Sequence, residues 1–324
     1  MTAERYAAAT DLVERYAAAF ASAVPDQPED VGFYGPRSVT WRLAADLSAP
    51  VAGLRSVLMQ ALHPLAMAGV DQHSDWRTDP VGRLAATASY TATVTYGDRA
   101  SASRAARRVR MVHEHVRGID TVTGRPYEAS DPALLLWVHA ALVDSVLAAS
   151  RMFGTPPAGT DPDRFVSEMT VAAELLGVPR EMIPASADAL EEYIAGVRPE
   201  LRCTPAAAES MGYMLDPAGM GEEIAELWLD IRDAAIAALP DWARDMYGYP
   251  PPPEVTPARR TEIRQTLGVF DTVFMAEPGV LEARQQLALR MRAAAAGSGG
   301  HGPAAAGGKA SRVVPRGADR ARNP

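Results

Sequence analysis

Apolar residues recur at helical spacing through most of the chain, and two segments show this most clearly. Between Ser101 and Gly118 one apolar stripe runs along an otherwise basic segment, which predicts an amphipathic helix. Ser101 can cap the start of this helix, and Gly118 can end it in the left-handed conformation. The segment 133–153 is apolar almost all round, which predicts a buried helix. The stripe of the first helix consists of Ala105, Val109, Val112 and Val116.

Similar spacing predicts further helices on both sides of these two segments. Pro64 is expected to kink or break the helix 50–68. The end of 83–95 alternates and is β-branched, as in a strand, but no partner strand is evident nearby, so a helix is preferred. Residues 39–45 are expected to form a short helix or an extended piece. The further helices cover 2–24, 50–68, 83–95, 163–176, 186–195, 205–215, 221–239, 241–247, 257–275 and 278–296. Turn-rich segments predict loops at 25–36, 71–80 and 121–131.

Composition supports one large helical core. Of the 324 residues, 48% are hydrophobic and only 6% are aromatic, and alanine dominates the apolar set. This composition favours helices over strands, so the expected fold class is all-α. Residues 1–296 are predicted to form a single all-helical domain. From residue 297 the chain is mainly Gly, Ala, Ser and Arg, which predicts a disordered basic tail over 297–324.

Charge and hydropathy argue against some classes of protein. The formal net charge of −8 argues against a nucleic-acid-binding protein. Charged residues among the first twenty predict no export signal, and no uninterrupted apolar run reaches the roughly 20 residues of a transmembrane helix. We therefore expect a cytoplasmic protein, with peripheral membrane contact left open. Cys203, the single cysteine, is expected to be a small buried apolar residue.

The first candidate for chemistry is the imidazole of His113, at the edge of the apolar stripe. On a continuous helix Arg110 and Arg117, at i−3 and i+4, would project from the same surface. An imidazole flanked by two cations suits a ligand with a metal at its centre and carboxylates at its rim, and haem b is such a ligand. The alternative is a satisfied core histidine on a helix whose arginines are solvated.

Two other histidines lie in apolar segments. His63 precedes Pro64 and is interpreted as a helix-end histidine that bonds a free carbonyl, in preference to a group on the far side of a ligand pocket. His139 lies inside the buried helix and needs a partner, either a carbonyl or a ligand-binding residue that it supports. The chain lacks the motifs of a phosphate-binding loop, a zinc protease, a di-iron carboxylate bundle and a nucleophile elbow.

Short motifs between Leu58 and Gly177 resemble, in order and spacing, those of the haem-dependent oxygenases that include latex-clearing protein (rubber oxygenase) and the MpaB-type oxygenases. The resemblance covers about a third of the chain, within a family core of about 50–200. The R-x-x-H-x-x-x-R element around His113 is the most telling part. The motifs are QALHP (60–64), DPVGRLAAT (79–87), RMVHEHVRG (110–118), YEASDP (127–132), LWVH (136–139) and ELLGVP (174–179).

The resemblance implies a globin-like helical core that holds a b-type haem, with extra helices at both ends. It implies that His113 is the proximal iron ligand. It also implies that the arginines around the haem pair with its propionates. The other implied site residues are Arg83 and Thr87, as catalytic residues, and Arg83, Arg110, Arg117 and His139, as cofactor-binding residues.

The resemblance leaves the substrate undetermined. Rubber oxygenases split olefinic bonds of polyisoprene with dioxygen, and MpaB-type enzymes are similar to oxygenases that shorten prenyl chains. Ala86 stands where some family members carry a lysine that can cover the iron, and rubber oxygenases are typically secreted. The expected function is a haem b-dependent oxygenase that uses dioxygen on a small apolar, unsaturated or isoprenoid substrate. Two alternatives stay open: a haem-binding sensor or carrier without turnover, and a helical module that binds apolar ligands.

Overall fold

The computed structural model of the protein describes residues 30–155, 160–215, 222–252 and 255–275, together with Leu289 and Arg292. Within these residues the chain forms twelve α-helices and one short two-stranded sheet, so the expected all-α class is confirmed. The predicted helix 2–24, most of the predicted helix 278–296 and the predicted tail 297–324 lie outside the described residues. The globin-like arrangement and the single domain 1–296 stay predictions.

The bounds of the elements are as follows. The first six helices are α1 (Val39–Ala44), α2 (Ala49–Ala61), α3 (Pro64–His73), α4 (Pro80–Tyr96), α5 (Arg99–His113) and α6 (Pro132–Phe153). The other six are α7 (Pro162–Leu176), α8 (Ala187–Val197), α9 (Pro205–Leu215), α10 (Glu222–Ala238), α11 (Asp241–Tyr247) and α12 (Pro257–Met275). The two strands are β1 (Arg117–Ile119) and β2 (Pro126–Glu128).

Proline and aspartate set several of the helix boundaries. Pro64 breaks the predicted helix 50–68 into α2 and α3, as expected, because proline lacks an N–H donor and clashes with the preceding turn. Asp131 caps α6 by accepting a hydrogen bond from the backbone N–H of Ala133 at 2.9 Å. The ambiguous segment 83–95 lies within α4, so the preference for a helix is confirmed.

The helix predicted at 101–118 is observed as α5 at 99–113, so it begins two residues earlier and ends five residues earlier than expected. Asp98, and not Ser101, is the N-cap of α5, and its carboxylate accepts the Ser101 N–H at 2.6 Å. After His113 the chain leaves the helix: β1 begins within the predicted helix and pairs antiparallel with β2, which lies in the predicted loop 121–131. Gly118 therefore does not end a helix. A Cβ at that position would lie 2.7 Å from the Tyr127 hydroxyl, so glycine permits a close approach to α3 and β2.

The core is centred on α6. Its most extensive packing is against α2, and it also contacts α7, α8, α10 and α12. Trp137 and Phe153 on α6 are completely buried. By length and composition α6 could span a membrane, but 56% of its most apolar 18-residue stretch is buried within the protein. The prediction of a buried helix at 133–153 is thus confirmed.

A buried cation joins three helices in this core. The Arg55 side chain on α2 is only 3% exposed. Its Nε donates to the carbonyl of Ala238 at 2.8 Å, its Nη1 to Ser145 Oγ at 2.6 Å, and its Nη2 to Asp144 Oδ2 at 2.7 Å. A charge in the interior is tolerated only when it is paired and fully hydrogen-bonded, so these contacts hold α2, α6 and α10 in one arrangement.

We predict that Arg55→Met lowers the free energy of unfolding by about 3 kcal/mol. The substitution keeps most of the volume but leaves Asp144 and the buried carbonyl without their donor. The measurement is urea unfolding followed by circular dichroism. Arg107→Met, at an exposed position of α5, is the matched control and should change stability by no more than about 0.5 kcal/mol. Equal effects of both substitutions would contradict the structural role of Arg55.

Candidate functional site

The candidate site is built on two consecutive helices. Only Gly97 and Asp98 separate α4 from α5, and the two helices pack against each other. Burial lowers the pKa of the His113 imidazole most, and the positive charge of Arg83 lowers it further. The charge of Arg83 on α4 therefore acts on the imidazole of His113 on α5, two residues that the resemblance assigns to one haem site.

His113 is half-buried at the last position of α5. Its Nδ1 atom is buried and has no hydrogen-bond partner among the described residues. Because its pKa is lowered, the imidazole is neutral at pH 7 and keeps a lone pair on one ring nitrogen. Buried polar atoms are normally hydrogen-bonded, so this Nδ1 is an exception among the described residues.

Arg83 and Thr87 lie one turn apart on α4. Arg83 has exposed surface, yet desolvation by burial lowers the pKa of its guanidinium. The guanidinium is thus accessible and at the same time partly desolvated by the surrounding protein. Thr87 is exposed, and its hydroxyl donates to the Arg83 carbonyl at 3.1 Å. Its oxygen can still accept a hydrogen bond from a ligand.

Arg110 has a structural contact that the sequence analysis did not anticipate. Its Nη1 donates to the carbonyl of Leu175 at 2.7 Å, at the end of α7. This carbonyl belongs to the last turn, where no intrahelical donor remains, and Gly177 ends the helix with φ 103°. Arg110 thus fastens α5 to α7 and holds His113, one turn further along, in its position.

Tyr90 is a further candidate site residue that the sequence analysis did not select. It lies on α4, almost one turn beyond Thr87, and its hydroxyl is buried with no hydrogen-bond partner among the described residues. Burial raises the pKa of the phenol, whereas the nearby charge of Arg110 lowers it. The available signal was helical spacing, since Arg83, Thr87 and Tyr90 follow each other at i, i+4 and i+7.

The expected position of Arg117 is wrong. Helical spacing no longer applies after His113, because α5 ends there, and Arg117 is an exposed residue of β1. Its carbonyl oxygen lies 3.2 Å from Nε2 of His73 on α3. The geometric argument that placed Arg110, His113 and Arg117 on one surface therefore holds only for the first two. The role that the resemblance implies for Arg117 stays a prediction.

His139 is buried on α6, and desolvation lowers its pKa to about 4. Its ring makes no hydrogen bond within the described part of the chain, so neither expected partner, a carbonyl or a supported ligand-binding residue, is observed. No interaction of the described residues joins it to His113. Its role in cofactor binding stays a prediction.

The interpretation of His63 as a helix-end histidine bonded to a carbonyl is wrong. His63 is the N-cap residue of α3, its side chain makes no capping hydrogen bond, and its buried Nδ1 has no partner among the described residues. The imidazole lines a cavity instead. Cys203, in contrast, is half-buried with a thiol pKa raised by burial, in keeping with a small apolar residue.

In the described ranges no group of three or more His, Cys, Asp or Glu side chains could hold a metal ion. A haem does not need such a group, because the porphyrin supplies four nitrogen ligands and the protein supplies one or two axial ligands. A neutral imidazole with an unpartnered nitrogen, next to an accessible cation, fits the requirements for one axial ligand and for a partner of a propionate.

Comparison with known proteins supports an oxygenase. A family model described as ER-bound oxygenase mpaB/B′/Rubber oxygenase, catalytic domain, matches residues 41–272. The match includes α4, α5 and α6 and therefore every candidate site residue. No curated protein and no solved structure matched the chain.

We predict that His139 makes stability depend on pH. The unfolded state binds a proton near pH 6.5, whereas the folded state binds it only near pH 4, so stability decreases as the pH falls through this window. The contribution should reach about 2 kcal/mol between pH 7 and pH 5. Urea unfolding at both pH values should show a smaller decrease for His139→Phe than for the wild type. The control, His115→Phe at an exposed position, should behave as the wild type. An unchanged decrease in His139→Phe would refute the prediction.

Proposed function

Since the chain belongs to the family of MpaB-type and rubber oxygenase catalytic domains and is therefore an oxygenase, we propose that it binds haem b through His113 and oxidises a small apolar, unsaturated substrate with dioxygen. The observation that carries this proposal is the state of His113. Its imidazole is half-buried and neutral at pH 7, its pKa is lowered further by the charge of Arg83, and its Nδ1 has no partner among the described residues.

Two arginines are suited to pair with the haem propionates. Arg83 is a permanent cation that is surrounded by protein yet accessible, so an anionic group placed there would be stabilised more strongly than in open solvent. Arg110 uses Nη1 for the Leu175 carbonyl, and its other guanidinium N–H groups make no hydrogen bond to another described residue. Support for Arg117 rests on the family motif alone, because the residue lies on β1.

When bound, the haem iron supplies the means to activate dioxygen, which side chains cannot do alone. The residues of the chain provide the environment. His113 offers a neutral nitrogen, and Arg83 offers a positive charge that favours the build-up of negative charge next to it. Tyr90 keeps its proton at neutral pH and can donate a hydrogen bond. Thr87 can accept one.

The first test is the absorption spectrum of the purified protein. We expect a strong Soret band in the wild type and its loss or marked weakening in His113→Ala, because the axial nitrogen is removed. His115→Ala is the matched control: this exposed residue lies two positions further on, and its Nδ1 already contacts the Met111 carbonyl at 2.8 Å. A band that survives in His113→Ala would assign the ligand elsewhere. Wild type without a band, after expression with ample haem, would overturn the proposal.

The second test separates turnover from haem binding alone. Oxygen uptake by the haem-loaded protein is measured with a panel of small olefins and isoprenoids. We expect uptake with at least one of them, and a rate at least about tenfold lower in Arg83→Gln at equal haem content, because a positive charge at the reaction site is lost. Arg107→Gln, on the exposed face of α5, should keep the wild-type rate. A haem protein without olefin-dependent uptake would favour a sensor or carrier.

A further inference from the structure

A cavity among the described residues lies away from the α4–α5 site. Its volume is about 180 Å³, and it lies between the start of α3, the start of α6 and the residues that end α8. No residue of α4 or α5 lines it. The cavity holds about six times the volume that a water molecule occupies in the liquid. It is smaller than the roughly 300–1,000 Å³ of pockets for drug-sized ligands.

The polar end of the cavity is formed by His63 and three charged residues. The charges are Glu200, Arg125 and Asp131, and each of them acts electrostatically on His63. Arg125 and Glu200 form an ion pair at 2.9 Å, and Asp131 caps α6 through the Ala133 N–H. These charged groups are therefore already compensated or hydrogen-bonded by the protein.

His63 differs from its charged neighbours. It is only 6% exposed, and its Nδ1 is buried with no hydrogen-bond partner among the described residues. Burial lowers its pKa most, so the imidazole is neutral at pH 7 and can accept a hydrogen bond. No hydrogen bond joins the His63 ring to another described residue, so a donor in the cavity can pair with the part of the imidazole that lines it, and not with the buried Nδ1.

The rest of the cavity lining is mainly apolar. Leu134, Leu136 and Trp137 of α6 contribute to it, together with Val197 at the end of α8. The Trp137 indole is held by a hydrogen bond from its Nε1 to the Gln60 carbonyl at 3.2 Å, and its ring centre lies 6.2 Å from that of His63. A fixed aromatic surface thus lies beside the unpartnered imidazole.

We propose that this cavity binds a small uncharged molecule with an apolar body and one hydroxyl group, and that the hydroxyl donates a hydrogen bond to His63. The apolar wall accommodates a body of about six to eight non-hydrogen atoms. The compensated ion pair gives little attraction for a charged ligand. The site is independent of haem binding at His113, so the proposal does not rest on the proposed function.

The test compares phenol with toluene, which has the same size and shape but no hydroxyl group. Binding to the purified full-length protein is measured by isothermal titration calorimetry. Toluene is the more apolar molecule, so burial alone would make it the tighter ligand. We expect the reverse, with phenol bound roughly fivefold more tightly, because only phenol satisfies the imidazole.

Three variants test whether phenol and toluene bind in this cavity. In His63→Leu the preference for phenol should disappear. In Val197→Phe the larger side chain should fill the cavity and abolish binding of both molecules. Val138→Phe, at an exposed position of α6 that does not line the cavity, is the matched control and should bind both as the wild type does. Circular dichroism confirms folding, and Val197→Phe carries the test if His63→Leu does not fold.

Three results would overturn the proposal. The first is wild-type protein without saturable phenol binding at millimolar concentration, as expected of a cavity that holds only water. The second is a wild type that binds toluene at least as tightly as phenol. The third is phenol binding that is unchanged in a folded Val197→Phe or that keeps its preference in a folded His63→Leu.

Discussion

The structure depends on one buried guanidinium. Arg55 extends from α2 to Asp144 and Ser145 on α6 and to the carbonyl of Ala238, the last residue of α10. Because an unpaired charge in a low-dielectric core is very unfavourable, the three helices cannot shift relative to one another without losing these contacts. The position of α6 in turn determines where its neighbours α7 and α8 pack.

The candidate haem site is connected to this core through the end of α7. Arg110 on α5 donates to the Leu175 carbonyl, so the helix that carries His113 is held by a hydrogen bond to a helix packed on α6. The positive charge of Arg83 on α4 acts on the same imidazole and lowers its pKa further. Partial burial keeps the imidazole neutral, and its Nδ1 has no hydrogen-bond partner among the described residues. His63 at the cavity is likewise kept neutral by burial, and its Nδ1 also lacks a partner among the described residues.

Much of the fold and part of the site follow from local patterns. The break at Pro64, the buried helix at 133–153 and the helix at 83–95 all depend on properties of neighbouring residues, and all three are confirmed. Tyr90 could have been found by extending the spacing of Arg83 and Thr87 by one more turn. The hairpin after His113 could not have been predicted in this way. Strands of three residues are too short to show an alternating pattern, and they are stabilised by pairing with each other and by contacts with α3.

The sequence by itself determined that the protein is helical, which oxygenase family it belongs to, and which histidine and arginine are the best candidates for a haem site, since periodicity, caps and motifs are local properties. Only the tertiary structure decided the roles of individual polar groups. It placed Arg117 on a strand, engaged Arg110 at the end of another helix and left His63 facing a cavity. Such outcomes depend on desolvation and on partners distant in the chain, which no local pattern contains.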